Sequence, residues 1–317
     1  MKNFIFFGSN NFSHRVLTRL LEKNIKPVAV VTNPLKPVGR KRELTPTPVQ
    51  VLAEKENLPV LNPVNLNSPD FIENLKDFKP VFGVLAAYGK IIPKSLLTFF
   101  KKGILNVHPS LLPCFRGATP IQSAILAGDS ETGVTIILLD EKMDHGPIIS
   151  QEKFDLSGKK YSYLELEKEL AELGANLLVK TLPLWLNQKI KPRHQKHSQA
   201  VYCHKFELKD SKINWSKPAL EIERQVSALN PEPGTYTYFD NQRLKILRVE
   251  PYLQDISSLS SDIIFGLIFE TKNKQLAVKC GQGALLLKLV QPAGKKIMTG
   301  EEFLRGHRDV IGNHFSS

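Results

Sequence analysis

A chain of 317 residues is longer than one ordinary domain and points to two. Apolar content of 42% and charged content of 23% are those of a globular protein, and no apolar run nears the ~18 residues a membrane-spanning helix needs. The net charge of +12 and pI ≈ 9.5 suit a polyanionic partner, nucleic acid above all, better than small anionic metabolites alone.

The N-terminal residues pass directly into a strand pattern, without the apolar stretch and cleavage site of a signal peptide. Residues 3–7 are an apolar strand ending at Gly8. Phe12, Val16, Leu17, Leu20 and Leu21 then recur at helical spacing, and residues 28–31 form a second buried strand. Strand–helix–strand implies a parallel sheet with a right-handed crossover. The turn Gly8-Ser9-Asn10-Asn11-Phe12 is not the Gly-x-Gly-x-x-Gly fingerprint, so no nicotinamide site is expected. Residues 36–42 form a basic run with no acid before Glu43. Residues 81–87 are a further strand, ending in Tyr88-Gly89, and Ile104–His108 and residues 134–139 continue the sheet.

Residues 161–182 are an amphipathic helix with Leu164, Leu166, Leu170, Leu173, Leu177 and Leu178 on its buried face, and Pro183 is expected to end or kink it. The next stretch, with Lys189, Lys191, Arg193 and Lys196 and a break at Pro192, reads as a linker. Beyond it a helix is expected at 218–229. Short strands are expected at 235–239, 244–249, 263–270, Leu276–Lys279 and 284–290, with Asp240-Asn241 as the first turn. The expected fold class is α/β: a Rossmann-like, mostly parallel sheet domain at 1–187, a basic linker at 188–205, and a small C-terminal β-barrel of OB-like type at 206–317. Cys114, Cys203 and Cys280 are odd in number and far apart, supporting neither a disulfide framework nor a Cys-x-x-Cys metal site; a reducing, cytoplasmic setting accounts for them.

Residues 104–120 carry the chemistry. Strand alternation puts Asn106 and His108 on one side of the chain and Val107 on the other. They emerge where a strand meets a loop stiffened by Pro109 and Pro113 and broken by Gly117, before a helix begins at Pro120. In an open α/β sheet ligands bind at the carboxyl ends of the strands. An amide donor beside an imidazole can hold a developing oxyanion and manage a proton. By themselves the two side chains would more often merely cap the strand end and hydrogen-bond the loop.

Asn106-Val107-His108-Pro109-Ser110-Leu111-Leu112-Pro113, Arg116-Gly117-Ala118, Pro120-Ile121, Thr132-Gly133-Val134-Thr135 and Met143-Asp144-His145-Gly146 together resemble the signature of the folate-dependent formyltransferases. The resemblance implies that Asn106, His108 and Asp144 are the catalytic trio. It implies that 10-formyltetrahydrofolate is the formyl donor, that an amine attacks the formyl carbon without a covalent nucleophile, and that no metal takes part. Asn106 would donate to the oxyanion, His108 would donate as well or carry a proton between the amine and the departing folate nitrogen, and Asp144 would orient His108 and hold a relaying water. A folate pocket is expected from Leu85, Ala86, Tyr88 and Gly89, from Ser110, Leu111, Leu112 and Pro113, and from Leu139 and Asp140. Within these motifs two positions depart from the family pattern: His145 stands where a small residue is usual, and Cys114 where a basic one is.

The acceptor is indicated by other segments. Gly39-Arg40-x-x-x-Leu44-Thr45-Pro46-x-Pro48-Val49 resembles the insertion loop of family members that act on initiator methionyl-tRNA. Asn230-Pro231-x-Pro233-Gly234 and Gln291-Pro292-Ala293-Gly294-Lys295-Lys296-x-Met298 resemble their C-terminal part, with Glu232 in place of the usual Trp. The resemblance implies tRNA contacts by Arg40, Lys41 and Arg42, with diffuse support from Lys191, Arg193, Lys295 and Lys296. It also implies a monomer. The alternatives are a formyltransferase acting on a sugar-nucleotide amine and a non-catalytic nucleic-acid-binding relative.

Overall fold

Phe4–Gly8 (β1) is buried at every position, as a strand covered on both faces must be. The computed structural model describes residues 2–38, 43–254 and 265–316. Asn10 caps the helix Asn11–Glu22 (α1): its side-chain oxygen accepts from the Ser13 amide at 3.1 Å, and Phe12, Val16, Leu17 and Leu20 are buried. Ala29–Val31 (β2) returns parallel to β1. Lys36–Val38 (β3) and Glu43–Thr45 (β4) pair antiparallel outside the main sheet; Arg40, Lys41 and Arg42 lie outside the described residues. There follow Pro48–Lys55 (α2), Val60–Leu61 (β5), Pro69–Asp77 (α3), Phe82–Ala86 (β6), Lys94–Phe99 (α4) and Ile104–His108 (β7).

After the short strand Arg116–Gly117 (β8) and the helix Pro120–Ala127 (α5) come Glu131–Leu138 (β9) and Ile148–Asp155 (β10). The seven-stranded sheet has the order β10-β9-β7-β6-β1-β2-β5. Strands β7, β6, β1, β2 and β5 are parallel; β9 runs antiparallel to β7, and β10 antiparallel to β9. The architecture is the mostly parallel, Rossmann-like sheet that the strand–helix alternation implied.

Three expectations need correction. Leu164, expected on the buried face of its helix, is exposed near the helix start. The helix Tyr163–Leu186 (α6) does not end at Pro183 but runs through it to Leu186. Pro183 lies in the last turn, where losing one N–H costs a single helical bond, and burial of Leu177, Leu178 and Leu182 outweighs it. The segment after it, read as a linker, is folded as far as His204 against the same unit. Ile148 and Arg193 exchange both backbone hydrogen bonds at 2.8 Å, Arg116 donates its backbone N–H to Val201 at 2.8 Å, and Tyr202–Cys203 (β11) lies parallel to β8. Polar composition misleads here because this segment is held by backbone pairing, which side-chain polarity does not report. Contacts divide the chain into one unit of residues 1–121, 130–159 and 164–204 and another of 122–129, 160–163 and 205–317.

In the second unit Pro218 precedes the helix Ala219–Leu229 (α7). Tyr236–Phe239 (β12) turns through Asp240 and Asn241, at φ 46° and 57°, into Gln242–Tyr252 (β13); positive φ at both centres is what a two-residue hairpin demands. Ile268–Glu270 (β14), Leu276–Lys279 (β15), Ala284–Pro292 (β16) and Met298–Thr299 (β17) complete an antiparallel sheet in the order β12-β13-β16-β15-β14, with β17 on β16. Of the strand expected at 263–270, residues 263 and 264 lie outside the described ones. Register shifts between Ile246 and Val249 bend β13 and help curl the sheet into a half-barrel. Its core includes Trp215, Ile246, Leu285, Leu287 and Phe315, and the Trp215 indole N–H donates to Thr237 Oγ1 at 3.0 Å. The helix Gly300–Gly306 (α8) starts in a capping box formed by Thr299 and Glu302. Among the described residues no helix is long and apolar enough to cross a membrane.

Candidate active site

In the sheet register Leu85, Asn106 and Ile137 stand side by side across β6, β7 and β9, and His108 stands beside Thr135. Asn106 and His108 therefore share a face, at 6% and 4% exposure. Asp144, 38 residues beyond Asn106, reaches both: its Oδ1 accepts from Asn106 Nδ2 at 3.3 Å and lies 3.5 Å from His108 Nδ1. Its Oδ2 accepts from the Gly117 amide at 2.8 Å. Of the three residues predicted as a trio, Asp144 is within reach of both others at the carboxyl end of β7.

The loop after β7 fixes the other side of the imidazole. His108 Nε2 lies 2.9 Å from the Phe115 carbonyl oxygen, which only accepts, so Nε2 carries a proton. The loop is held by its own bonds: Ser110 Oγ donates to the Cys114 carbonyl at 2.6 Å, and Thr135 Oγ1 donates to the Ser110 carbonyl at 2.6 Å while accepting from the Leu112 amide at 3.1 Å. Gln151 Nε2 donates to Leu112 O at 3.0 Å and to Thr135 Oγ1 at 2.8 Å. Gly117, at φ 121°, has no room for a Cβ against the Cys203 carbonyl. Only glycine lets its amide reach Asp144 here.

Asp144 is itself left-handed, at φ 47°, a conformation that Asp tolerates better than most residues. A Cβ on Gly146 would run into the Leu138 carbonyl. Gln195 Nε2 donates to the carbonyls of Asp144 at 2.8 Å and Gly146 at 2.7 Å. Behind it Arg116, 1% exposed, gives Nε and Nη2 to Gln195 Oε1 at 3.1 and 2.7 Å, Nη2 to His197 Nδ1 at 2.8 Å and Nη1 to the Tyr202 hydroxyl at 3.2 Å. Desolvation, with the neighbouring His145 and Arg116, holds the His197 imidazole below the usual histidine range. His145 stacks on His197 with centroids 4.0 Å apart and bonds Asp140 Oδ2 through Nδ1 at 2.6 Å.

The expected folate residues fall into two groups. Leu85, Tyr88 and Leu139 meet in one apolar cluster, and Leu112 and Leu139 in another with Ile137 and Ile148. Gly89 is exposed, Leu139 and Asp140 are half-buried and Pro113 is half-buried. The Tyr88 ring, however, turns inward to pack edge-on against Phe7, and burial pushes its hydroxyl up to about 12. Ala86 is buried within β6. Ser110 is spent on the loop's own bonding, and Leu111 packs over Gly133. Lys191, Arg193, Lys295 and Lys296 are exposed, and the Cys114 side chain is exposed. Among the described residues no three metal-ligating side chains converge. The residues that sequence reasoning missed are Gln195, His197 and Tyr202; they sit in a polar stretch with no periodicity, and only the motif residue Arg116 gave a signal near them.

A buried amide and imidazole joined by one carboxylate stand at the end of a parallel strand, and the chain matches one known family along most of its length. Residues 1–182 match the formyl transferase family and residues 205–308 its C-terminal domain. This chain belongs to the formyl transferase family. It is 41% identical over 308 residues to the methionyl-tRNA formyltransferase of Chloroflexus aurantiacus, covering 97% of this chain and 98% of that one. Two solved structures share its fold. The methionyl-tRNA formyltransferase from Clostridium thermocellum superposes at TM-score 0.56 and 18% identity, over 80% of this chain and 96% of that one. HypX from Aquifex aeolicus in complex with tetrahydrofolic acid superposes at TM-score 0.67 and 16% identity, over 99% of this chain and 48% of that one.

Proposed function

We propose that this chain transfers the formyl group of 10-formyltetrahydrofolate to the amino group of methionyl-initiator tRNA, for translation initiation. The observation that carries the reading is the Asp144 carboxylate reaching both Asn106 and His108, in a chain whose relatives at 41% identity are methionyl-tRNA formyltransferases along nearly their full length. The methionyl amine attacks the formyl carbon and a tetrahedral oxyanion forms. Asn106 has one N–H on Asp144, which leaves its second for the oxyanion. His108, with Nε2–H on the Phe115 carbonyl and Nδ1 toward Asp144, manages the proton. The carbon–N10 bond then breaks. N10 takes the proton the amine gives up, and tetrahydrofolate and the formylamide leave. Asp144 orients His108 and holds the water that carries this proton. With Asn106 and His108 largely buried, these dipoles act in a low-dielectric setting, where they are worth most.

The pterin lies against Leu85, Gly89 and the 138–146 segment near Asn106. Arg40, Lys41 and Arg42 meet the acceptor stem, and Lys191, Arg193, Lys295 and Lys296 supply diffuse attraction to the tRNA. The protein acts as a monomer in the cytoplasm, a setting in keeping with free Cys114, Cys203 and Cys280. The test is formyl transfer to methionyl-initiator tRNA and, separately, to an amino-sugar nucleotide. Activity on the tRNA alone is expected. Activity on the sugar nucleotide alone would overturn the acceptor, and none on either would overturn the formyl-transfer reading.

A further inference from the structure

We propose that Gln195 is a positioning residue for the transfer step: braced by buried Arg116, it sets the backbone from which Asp144 aims its carboxylate at Asn106 and His108. This rests on the reading of Asp144 as part of the transfer machinery. The Gln195 side chain is satisfied at every bonding site. Both amide hydrogens go to the Asp144 and Gly146 carbonyls, at 2.8 and 2.7 Å, and the oxygen takes two bonds from Arg116, at 3.1 and 2.7 Å. A guanidinium only donates and a carbonyl only accepts, so the amide has one possible orientation. Arg116 lies between Phe115, whose carbonyl holds His108 Nε2, and Gly117, whose amide holds Asp144 Oδ2. The Gln195–Arg116 pair therefore ties the loop that holds His108 to the loop that carries Asp144. Asp144 is left-handed at φ 47°, and Gln195 fixes its peptide plane from behind. Releasing that plane re-aims the carboxylate, and a misplacement of about 1 Å costs ~10²-fold in rate.

The test is a double-mutant cycle on the full-length protein. Gln195→Glu keeps the acceptor for Arg116 and the shape of the side chain but puts an oxygen against two carbonyls. Formyl transfer at saturating substrates should fall ~10²-fold, while KM for 10-formyltetrahydrofolate stays within about threefold. In an Asp144→Ala background the same change should cost less than about twofold, because there is no carboxylate left to aim. Arg116→Lys, which loses the two-pronged bond to Gln195, should repeat the pattern and stands in if Gln195→Glu does not fold. A rate within about twofold of wild type for a folded Gln195→Glu protein, or an equal loss in both backgrounds, would overturn the proposal. A wild-type rate for Asp144→Ala alone would instead overturn the reading of the trio, and the proposal with it.

Discussion

Asp144→Asn perturbs the site at a single oxygen. The carboxylate now has Oδ2 on the Gly117 amide at 2.8 Å and Oδ1 toward Asn106 Nδ2 at 3.3 Å and His108 Nδ1 at 3.5 Å. An asparagine must keep its oxygen on Gly117, since an amide N–H there would face another N–H. Its NH₂ then replaces Oδ1 and meets the Asn106 NH₂ donor to donor. The loop should survive, because the Gly117 bond survives and one net hydrogen bond is worth only about 1 kcal/mol. Asn106 loses the acceptor that orients its amide, and His108 loses the anion beside Nδ1. Misdirecting one oxyanion donor costs ~10²–10³ in kcat. Single-turnover formyl transfer should fall by about that much, with a melting temperature near wild type and KM for the folate donor within about threefold. A kcat within about twofold of wild type, or a loss carried wholly by KM, would refute the role given to Asp144.

Gly146→Ala drives a methyl group into the Leu138 carbonyl and should destabilise the protein by about 1–3 kcal/mol, read as a fall in melting temperature. His197 accepts from Arg116 through Nδ1 only while neutral, and its pKa is held below the ordinary 6.5. The unfolded chain therefore takes up that proton first, so the stability this bond contributes is present above 6.5 and is lost as pH falls through the lowered value. His197→Gln, which accepts but does not titrate, should narrow the gap in melting temperature between pH about 7.5 and about 5.5; an unchanged gap counts against this contribution. Arg40→Ala should lower kcat/KM for tRNA, leave folate binding intact and reduce the salt slope of tRNA binding by about one unit, as titrations at several ionic strengths will report.

Local rules sufficed wherever the cause was local. The period of two put Asn106 and His108 on one face of β7, and it needs nothing beyond the strand itself. The Asp240-Asn241 pair marked the turn because those side chains tolerate the positive φ angles it adopts. Apolar runs such as Phe4–Gly8 announced strands buried on both faces. Resemblance pointed to Asp144, but only the fold brings it within 3.5 Å of His108, across a loop, a helix and two strands. Residues 188–204 carry the opposite lesson. Their polarity and their proline read as a linker, yet Arg193 pairs with Ile148, and Gln195 is buried against the Asp144 loop. What a buried amide does depends on which carbonyls and which guanidinium the tertiary structure sets around it, and those partners lie far away along the chain. The same holds for Tyr88, which a strand-end pattern places beside a pocket and which the packing of Phe7 draws into the core.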